Sequence, residues 1–295
     1  MSVSSEHYKI FYYVGKYKSF SQAARVLLNS QSNISRTIAN LENELGCKLF
    51  IRMHDGIRLT EEGDILYRHA AVAFEHLQLG EEELLDHLAL HSNSIRIGYS
   101  IGISDSLLNT LFFPVIKDYY DSHEGVRLHV KNDSTPKLVS DINEGLLDLA
   151  IITSYEDDRT INGKLLDSFR EELIAGKVFE ALKEKELTLM DISAYPIICA
   201  QRGSETHQVY EAFFAEHGLV FEPSIETATS DQVLMLVQSN LGIGFVESGM
   251  FNKYADKENA FKLKLKEEPP LRGVYLLANE FRKENEEVSA LLQMF

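Results

Sequence analysis

The residues of this sequence best suited to specific chemistry form a polar set between positions 31 and 36. Gln31 and Asn33 each carry an amide with donors and an acceptor, and Arg36 carries a planar fork of N–H donors. Ser32 and Ser35 add hydroxyl groups to the same segment. In the major groove of B-DNA, Gln pairs with adenine and Arg with guanine through two hydrogen bonds at once. The set is therefore a candidate for reading base edges, with an ordinary solvated polar face as the alternative.

A helix has to present that polar set on one side. Apolar residues at positions 34, 38, 41 and 45 form one helical stripe on the other side, and Gly46 supplies a C-terminal stop. A shorter helix is expected before it, following a break at Gly15: Ser19 and Gln22 have the spacing of a capping box, and Asn29-Ser30 ends the helix. Two such helices predict a helix-turn-helix. In the shorter helix, the expected buried residues are Ala23, Ala24, Leu27 and Leu28, and the expected DNA-facing residues are Ser21, Gln22 and Arg25.

A β-hairpin is expected after the two helices. Leu49-Phe50-Ile51 and Ile57-Arg58-Leu59 flank Asp55-Gly56, a strong short-range signal for a hairpin. A hairpin in this place is a wing, and Arg52 and Arg58 would bring positive charge against phosphates or the minor groove. Residues 1–60 hold eight Lys/Arg and four Asp/Glu, a formal charge of +4, although the whole chain carries −16. A basic head on an acidic body agrees with one DNA-facing end.

One long helix is expected after the wing. Thr60 is its predicted N-cap, and acidic residues follow in its first turn. The helix is expected to reach about Leu90, with Gly80 as a place to bend or break. Its apolar residues repeat at spacings of three, four and seven, which favours pairing with a second helix and hence a dimer; packing on its own chain is the alternative. The expected dimerisation residues are Leu66, Ala70, Ala73, Leu77, Leu84 and Leu88.

From residue 94 the sequence alternates between strand-like and helical runs, in two similar groups. In the first group, strands are predicted at 95–100, 126–130 and 146–153, with helices at 107–123 and 135–145. In the second group, strands are predicted at 195–201, 224–228 and 243–247, with helices at 204–218 and 230–242. Each βαβαβ order predicts a parallel sheet covered by helices. Two such lobes predict a cleft where strand ends and helix N-termini meet.

The composition and the absence of certain motifs disfavour several classes of protein. No run approaches the roughly 18 apolar residues of a membrane span, and the first twenty residues lack a signal-peptide pattern, so we expect a cytoplasmic protein without membrane contact. No P-loop, GxGxxG, GxSxG or HExxH is present, so we expect no enzyme and no cofactor. Cys47 and Cys199 form no metal-binding cluster, and we expect two small core residues, with a redox role for Cys199 as the alternative.

The N-terminal motifs resemble those of a known family. The run SFSQAARVLLNSQSNISRTIANLENELGCKLFIR…GIRLTEEG is similar to the DNA-binding domain of LysR-type transcriptional regulators. The matching elements are SFSQAA, Gln31 with Ser35-Arg36, LENELG, LF-x-R and LTEEG. Three positions depart from the family: Ser32 stands where proline is usual, Asn33 where a small residue is common, and Asp55 at a wing position that is often basic.

Four later segments, IRIGYS, EGLLDLAII, YPII and LGIGFV, resemble the effector-binding domain of the same family, which is itself similar to periplasmic solute-binding proteins. The resemblance implies an α/β protein overall. It places an all-α winged helix-turn-helix at 1–60, a linker and dimerisation helix at 61–92, and a two-lobed α/β effector-binding domain at 93–295. The first lobe would span about 93–162 and 269–295, and the second about 163–268.

The resemblance also implies which residues face the effector. They are Ser100, Gly102, Ser134, Thr135 and Thr153 in the first lobe, and Gln201, Thr229 and Val246 in the second. Hydroxyl and N–H groups at helix starts suit an anionic group, so the expected effector is a small carboxylate or an amino acid. Each hydroxyl has helix capping as its alternative role. Arg202 is either a countercharge beside the cleft or a surface residue.

The function implied is regulation of transcription. A homodimer or homotetramer would bind a partly palindromic DNA duplex, and an effector bound between the lobes would change promoter binding and contact with RNA polymerase. A solute-binding module without a DNA-binding role and an enzyme are the alternative classes. The basic head disfavours the first, and the absence of a spaced catalytic set disfavours the second.

Overall fold

The structure, a computed structural model, describes residues 3–53, 56–88, 94–155, 160–280 and 285–295. Within those ranges, the side chains of residues 52, 82, 83 and 85–88 are outside the description. The chain divides into two compact units, Met1–Leu85 and Asp86–Phe295. Each unit has its own hydrophobic core and is described by itself.

The first unit contains three helices, a two-stranded hairpin and most of a long helix. They are α1 (Ser5–Tyr17), α2 (Phe20–Val26), α3 (Gln31–Leu45), β1 (Phe50–Met53), β2 (Gly56–Leu59) and α4 (Glu61–Leu88). A serine side chain caps the N-terminus of each helix of the predicted helix-turn-helix. Ser19 Oγ accepts from Gln22 N at the start of α2, and Ser30 Oγ accepts from Asn33 N at the start of α3, each at 3.2 Å. The predicted pair of helices is therefore confirmed, with α3 beginning one residue before Ser32.

The predicted break at Gly15 is wrong, because α1 continues through that residue to Tyr17. Gly15 does not make a turn; it lets the Tyr67 side chain of α4 pack directly against α1. A Cβ atom on Gly15 would lie 2.5 Å from the Tyr67 ring, so only glycine lets α4 come this close to α1. Tyr12 stacks on both Tyr67 and Phe74, with ring centroids 6.0 and 5.4 Å apart.

The core of the first unit is formed by α1, α2 and α3. Its buried members on these helices are Ile10, Phe11, Tyr12, Val14, Ala23, Ala24, Ile34, Ile38 and Leu41. The prediction that Leu28 is buried is wrong: its side chain is 96% exposed. Helix α2 ends at Val26, and Leu28 takes a left-handed backbone conformation with φ of 49°, so the chain turns its side chain away from the core. Leu45, at the end of the apolar stripe, is also exposed.

The wing is tied to α3 by a buried glutamate of the LENELG motif. Strands β1 and β2 are antiparallel, and Gly56 pairs with Met53, so Gly56 begins β2; Asp55 lies outside the described residues. Glu42 Oε1 accepts from the backbone N–H groups of Leu49 and Phe50 at 2.9 and 3.3 Å. Burial alone would raise the pKa of Glu42, but these bonds and Lys48 outweigh it and lower the pKa.

Helix α4 begins as predicted. Thr60 Oγ1 accepts from Gly63 N at 2.9 Å, and the same hydroxyl donates to Lys48 O at 2.6 Å. The helix runs without interruption through Gly80 to Leu88, so the suggested break at Gly80 is wrong. Its first turns belong to the core of the first unit, where Ala70 is buried and Leu66 is partly buried. The first unit therefore extends beyond the predicted boundary at residue 60.

The second unit begins with strands and helices in alternation. In chain order they are β3 (Ser94–Ser100), α5 (Asp105–Leu107), a π-helical segment (Leu108–Phe112), α6 (Phe113–Ser122), β4 (Arg127–Asp133), α7 (Thr135–Asn143), β5 (Leu149–Tyr155) and β6 (Lys164–Phe169). The next elements are β7 (Glu171–Gly176), a 3-10 helix (Lys177–Leu182), β8 (Glu186–Leu187), α8 (Leu189–Ile192), β9 (Ile197–Ala200) and α9 (Glu205–Glu216). The last are β10 (Ile225–Thr227), α10 (Ser230–Gln238), β11 (Ile243–Glu247), α11 (Ser248–Tyr254), β12 (Ala260–Lys262), β13 (Lys264–Leu265), β14 (Arg272–Ala278) and α12 (Glu286–Met294).

Two five-stranded sheets define the two lobes of this unit. Lobe I has the strand order β4-β3-β5-β14-β6, and lobe II has the order β10-β9-β11-β7-β12. The predicted parallel strands are present: β3 pairs in parallel with β4 and β5, and β9 pairs in parallel with β10 and β11. Both sheets are mixed, however, because β14 is antiparallel to β5 and β7 is antiparallel to β11.

The boundary between the lobes lies later than the sequence predicted. Strand β6, which begins at Lys164, pairs with β14 and so belongs to lobe I, although residues from 163 onward were expected in the second lobe. The chain passes into lobe II between Phe169 and Glu171. The returning segment at β14 and α12 completes lobe I, where Val288 and Leu291 join its core.

Candidate DNA-binding surface and interlobe site

The exposed side of α3 carries a connected set of polar side chains. Asn33 Oδ1 accepts from Arg36 Nη2 at 3.0 Å, and Asn33 Nδ2 donates to Asn29 Oδ1, also at 3.0 Å. Ser21 Oγ, on α2, donates to Gln31 Oε1 at 3.0 Å. Because Gln31 and Arg36 are exposed, the remaining N–H donors of both side chains are available to a base edge.

The other predicted DNA-facing residues lie on α2, on α3 and on the wing. Ser32 is exposed, with its hydroxyl 3.1 Å from that of Ser30, and Ser35 is half-buried. Gln22 and Arg25 are exposed on α2, and Arg58 is exposed on β2 of the wing. The side chain of Arg52 lies outside the described residues.

The predicted dimerisation residues of α4 fall into two groups. Leu66 and Ala70 pack inside the first unit, so the alternative of packing on the chain itself holds for them. Ala73 is exposed, and Leu77 and Leu84 are 63% and 57% exposed. The side chain of Leu88 lies outside the described residues. Exposed leucines spaced by seven are typical of a helix with a partner.

Several predicted effector residues meet at the edge of lobe I. Ser100 ends β3, and its hydroxyl lies 2.9 Å from that of Thr135, the first residue of α7. Gly102 N donates to Ser100 Oγ at 3.2 Å. Thr153 on β5 is completely buried. These residues come together because the carboxyl ends of parallel strands share one edge of the sheet.

A buried ionic network joins the two lobes at this edge. Arg272, which begins β14 in lobe I and is 1% exposed, pairs with Glu171 of lobe II at 3.3 Å and with Glu205 at the start of α9. Thr153 Oγ1 donates to Glu205 Oε2 at 2.9 Å and accepts from Arg272 Nη2 at 3.0 Å. Tyr210 OH donates to Glu171 Oε2 at 2.6 Å.

Burial and charge act in opposition on these groups. Burial alone would lower the pKa of Arg272, but the carboxylates of Glu205 and Glu171 outweigh it and raise the pKa. Burial raises the pKa of Glu205, and Arg272 opposes that rise. At the same contact, burial raises the pKa of Asp231 to about 6, helped by the charges of Asp105 and Glu247. The lobes therefore meet through carboxylates that are expensive to keep ionised.

Three further hydrogen bonds cross between the lobes. Ser104 Oγ donates to Glu247 Oε2 at 3.3 Å, and Ser230 Oγ donates to Gly102 O at 3.2 Å. The backbone N–H of Asp105 donates to Asp231 Oδ1 at 3.2 Å. In each case one group comes from the segment after β3 and the other from lobe II. This part of the contact is thus held by polar groups.

The predicted effector residues outside this cluster have different surroundings. Ser134 and Thr229 stand at the N-cap positions of α7 and α10, but neither side chain makes a capping hydrogen bond. Gln201 is exposed, and its backbone N–H donates to Thr227 O at 2.8 Å. The prediction for Val246 is wrong for its side chain, which is buried in the core of lobe II with Ile174 and Ile198. Its strand neighbour Glu247 faces lobe I instead.

Sequence reasoning missed Arg272, Glu171 and Glu205, which dominate the interlobe contact. A signal was present: Glu205 follows Ser204 at the start of a predicted helix whose N-terminus points at the cleft. Arg272 gave no local signal, because β14 was not predicted. Arg202, considered as a countercharge, is exposed, and its backbone N–H donates to Glu226.

The two cysteines have ordinary surroundings. Cys199 is buried in the core of lobe II, and burial together with the nearby Glu171 carboxylate raises the pKa of its thiol to about 12. A thiol held protonated in this way is a poor nucleophile, which disfavours the redox alternative. Cys47 is partly buried against the core of the first unit. Both are free of disulfide bonds.

The described residues contain neither a metal-binding cluster nor a helix that could span a membrane. Across the ranges that the structure covers, no three His, Cys, Asp or Glu side chains are grouped so that they could hold a metal ion. Among the helices of those same ranges, none combines the length and the apolar character of a membrane-spanning segment.

A winged helix-turn-helix with an exposed polar recognition helix, followed by two α/β lobes that meet at a polar contact, defines the class of ligand-responsive DNA-binding regulators. Family comparison agrees. Residues 5–64 match the bacterial regulatory helix-turn-helix protein family of the LysR type, and residues 98–295 match the LysR substrate binding domain. The chain belongs to the LysR family of transcriptional regulators.

Individual relatives are distant but extend over nearly the whole chain. The chain is similar to the RuBisCO operon transcriptional regulator of Allochromatium vinosum, with 23% identity over 94% of this chain and 90% of that protein. It is similar to the HTH-type transcriptional regulator HdfR of Yersinia enterocolitica, with 26% identity over 86% of this chain and 84% of that protein. Its fold resembles full-length CbnR solved with its target DNA, with a TM-score of 0.67 and 15% identity over 99% and 98% of the two chains.

Proposed function

We propose that this regulator binds a partly palindromic promoter site as a dimer or tetramer, and that a small molecule held between lobe I and lobe II changes that binding. The effector acts by binding one arrangement of the protein more tightly than another, because only a difference in affinity can shift an equilibrium. The consequence is altered promoter occupancy and altered contact with RNA polymerase. A DNA-binding regulator works where the chromosome is, so we place the protein in the cytoplasm.

The observation that carries the DNA-binding part is the two-sided character of α3. One side is fixed in the core through Ile34, Ile38 and Leu41, so the helix is rigidly placed. The other side presents Gln31 and Arg36 with donors directed to solvent. A rigid helix with exposed amide and guanidinium donors meets the geometric needs of base reading in a major groove.

The remaining polar residues of the first unit have supporting roles in this proposal. Ser32 and Ser35 lie beside the base-reading pair on α3. Ser21, Gln22 and Arg25 on α2 contact the phosphate backbone, and Arg52 and Arg58 bring the wing against an adjacent phosphate or the minor groove. Phosphate contacts of this kind fix the register of the protein without reading sequence.

For the effector part, the supporting residues are those at the ends of the strands where the lobes meet. Ser100, Gly102, Thr135 and Thr153 are grouped there in lobe I. Ser134, Gln201 and Thr229 lie at helix or strand ends and remain candidates for contact; for Val246, only backbone contact is compatible with a buried side chain. The sequence predicted a small carboxylate or an amino acid as the ligand.

The DNA-binding proposal is tested by selecting a preferred duplex from a random pool and measuring its affinity by fluorescence anisotropy. We expect the affinity to fall steeply between about 50 and 200 mM salt, because phosphate contacts release counterions. Arg36→Ala combined with Gln31→Ala should lower the affinity for the selected duplex at least about tenfold and remove its advantage over random DNA.

Lys9→Ala is the matched control, because Lys9 is an exposed cation on α1 and does not belong to the recognition helix. It removes one positive charge, as Arg36→Ala does, and should leave sequence preference intact. Unchanged preference in the Gln31 and Arg36 double variant would remove the basis of the proposal.

The expectation that the chain is not an enzyme stays a prediction, tested by looking for turnover of any molecule that binds.

A further inference from the structure

Three hydroxyl groups surround one point beside Gly102, between the lobes. A Cβ atom added to Gly102 would lie 3.1 Å from Thr206 Oγ1, 3.6 Å from Ser100 Oγ and 3.7 Å from Thr153 Oγ1. Gly102 itself is only half-buried, whereas the three hydroxyl residues are buried. The glycine therefore leaves room for a small polar group among oxygen atoms that come from both lobes.

Two buried oxygen atoms at this place have no hydrogen-bond partner within the described part of the chain. They are Thr206 Oγ1, on a residue that is 4% exposed, and Glu205 Oε1. Both residues begin α9, and the other carboxylate oxygen of Glu205 is already held by Thr153 and Arg272. A buried polar atom is normally satisfied, because leaving it unpaired is unfavourable. An ionised carboxylate oxygen only accepts, so what satisfies Glu205 must donate.

Acidic groups outnumber basic groups in the contact between the lobes. Arg272 brings one positive charge, and Glu171 and Glu205 both pair with it. Glu247 and Asp231 add two further carboxyl groups from lobe II to the same interlobe contact. Among the described residues, Arg272 Nε and Nη1 also lack a hydrogen-bond partner, although Glu171 Oε1 lies 3.3 Å from Nη1. An anionic ligand would add a further negative charge to these four carboxyl groups, which is unfavourable in a largely buried contact. A cationic ligand reduces the imbalance instead.

We propose that the effector carries a primary ammonium group that binds beside Gly102 and donates hydrogen bonds to Thr206 Oγ1 and Glu205 Oε1. The inference rests on the proposed function, which places an effector between the lobes. An ammonium group suits the place because it concentrates three donors and a positive charge in one small centre. Of the two ligand classes expected from the sequence, an amino acid meets this requirement and a plain carboxylic acid does not.

Thermal unfolding of the full-length protein tests the proposal with four-carbon probes that differ only in their end groups. The amines are 1-aminobutane, 1,4-diaminobutane and 4-aminobutanoate, and the acids are butanoate and butanedioate. Ammonium chloride and potassium chloride at matched ionic strength test an inorganic cation. We expect at least one amine, at ten times its dissociation constant, to raise the melting temperature by about 3–6 °C, and the acids and salts to leave it unchanged.

Two substitutions locate the binding. Glu205→Gln keeps the shape of the side chain and removes its charge, and Gly102→Ala puts a methyl group at the point where the ammonium would sit. Each should weaken binding of the active amine about tenfold or more. Glu211→Gln, on the exposed side of the same helix, is the matched control and should keep the shift. If Glu205→Gln fails to fold, Gly102→Ala carries the test alone, because it leaves the ionic network in place.

The possible outcomes separate this inference from the proposed function. Stabilisation by an acid and by none of the amines, or no shift with any amine, overturns the ammonium proposal and leaves an interlobe effector site standing. An equal shift with the inorganic salts overturns it as well, and so does an amine shift that survives in both variants. The proposed function fails by a different measurement, namely if no compound in a broad metabolite library changes the affinity for the selected duplex.

Discussion

The Arg36 side chain on the recognition helix already uses one terminal nitrogen in a hydrogen bond to Asn33. Asn33 accepts that hydrogen bond and donates its own amide to Asn29, which also accepts from the backbone N–H of Ser30 at 2.8 Å. Each end of the Asn33 amide makes one hydrogen bond, and the two bonds together fix the orientation of the amide. We expect Asn33 to orient the guanidinium of Arg36, and Arg36 to read guanine through its remaining donors.

Substituting Asn33→Ala tests this relay. The variant should bind the selected duplex about twofold to twelvefold more weakly, the effect of losing about 0.5–1.5 kcal/mol from one hydrogen bond. Affinity for random DNA should not change, because the relay carries no phosphate contact. In the Arg36→Ala background the same substitution should cost nothing further, since the group it orients is gone. Anisotropy titrations of the four proteins give the coupling.

The matched control is Asn40→Ala, an exposed asparagine on the same helix. It should leave affinity and sequence preference unchanged. Equal losses from Asn33→Ala with and without Arg36 would mean that Asn33 acts independently, for example by touching DNA itself.

For single residues, the sequence pattern predicted burial where helical periodicity alone decides it, and failed where the backbone conformation or strand register decides it. The stripe at Ile34, Ile38 and Leu41 was predictable because helical periodicity alone decides which side faces the core. Leu28 was not, because its exposure depends on a left-handed backbone conformation that follows the end of α2. Val246 was placed in the cleft by analogy, but neighbouring strand residues alternate between faces, and Glu247 is the one that reaches lobe I.

Among the elements, the start of α4 lies close to the backbone that leads into the wing. A Cβ atom on Gly63 would lie 2.1 Å from the carbonyl oxygen of Leu49, which is backbone and has no freedom to move aside. Thr60 strengthens the same junction by donating to Lys48 O. The glycine of the LTEEG motif is thereby explained: it lets α4 begin directly against β1.

Gly63→Ala should therefore destabilise the first unit by about 2–3 kcal/mol, because the added methyl group forces the helix away from the wing. Gly80→Ala is the matched control on the same helix, since nothing lies within 4 Å of a Cβ atom there. It should stabilise the helix by up to about 1 kcal/mol, through helix propensity alone. Urea unfolding followed by circular dichroism measures both, and similar effects at the two glycines would contradict the packing argument.

Elements with local signals were predictable, and those that depend on distant pairing were not. The predicted strands of β3, β4, β5, β9, β10 and β11 are all present, because each has its own apolar run and turn residues. Strand β6 was assigned to the wrong lobe because its partner β14 lies more than a hundred residues later. Strand β14 also carries Arg272, and because β14 was not predicted, the ionic network that joins the lobes was not predicted either.

For the whole molecule, the uneven distribution of charge along the chain is a reason for two subunits to pair. Residues 1–60 carry +4 while the full chain carries −16, so the remainder carries −20 and is repelled by DNA phosphates. One small basic head gives limited affinity. Two heads held together bind far more tightly, because after the first has bound, the second meets its half-site at a high effective concentration. The part of α4 that remains exposed, at Ala73, Leu77 and Leu84, is the surface that we expect to hold them together.

Leu77→Glu combined with Leu84→Glu should convert the protein to a monomer, since charged groups at an apolar seam repel across it and lose water on pairing. Affinity for the selected duplex should then fall by about two orders of magnitude, which is the lower part of the range for losing a linked second site. Sedimentation equilibrium gives the mass, and anisotropy gives the affinity. Val220→Glu, at an exposed apolar residue of lobe II, is the control and should change neither. A double variant that keeps the mass of an oligomer would move the subunit contact away from α4, and the two recognition helices would have to be paired by the second unit.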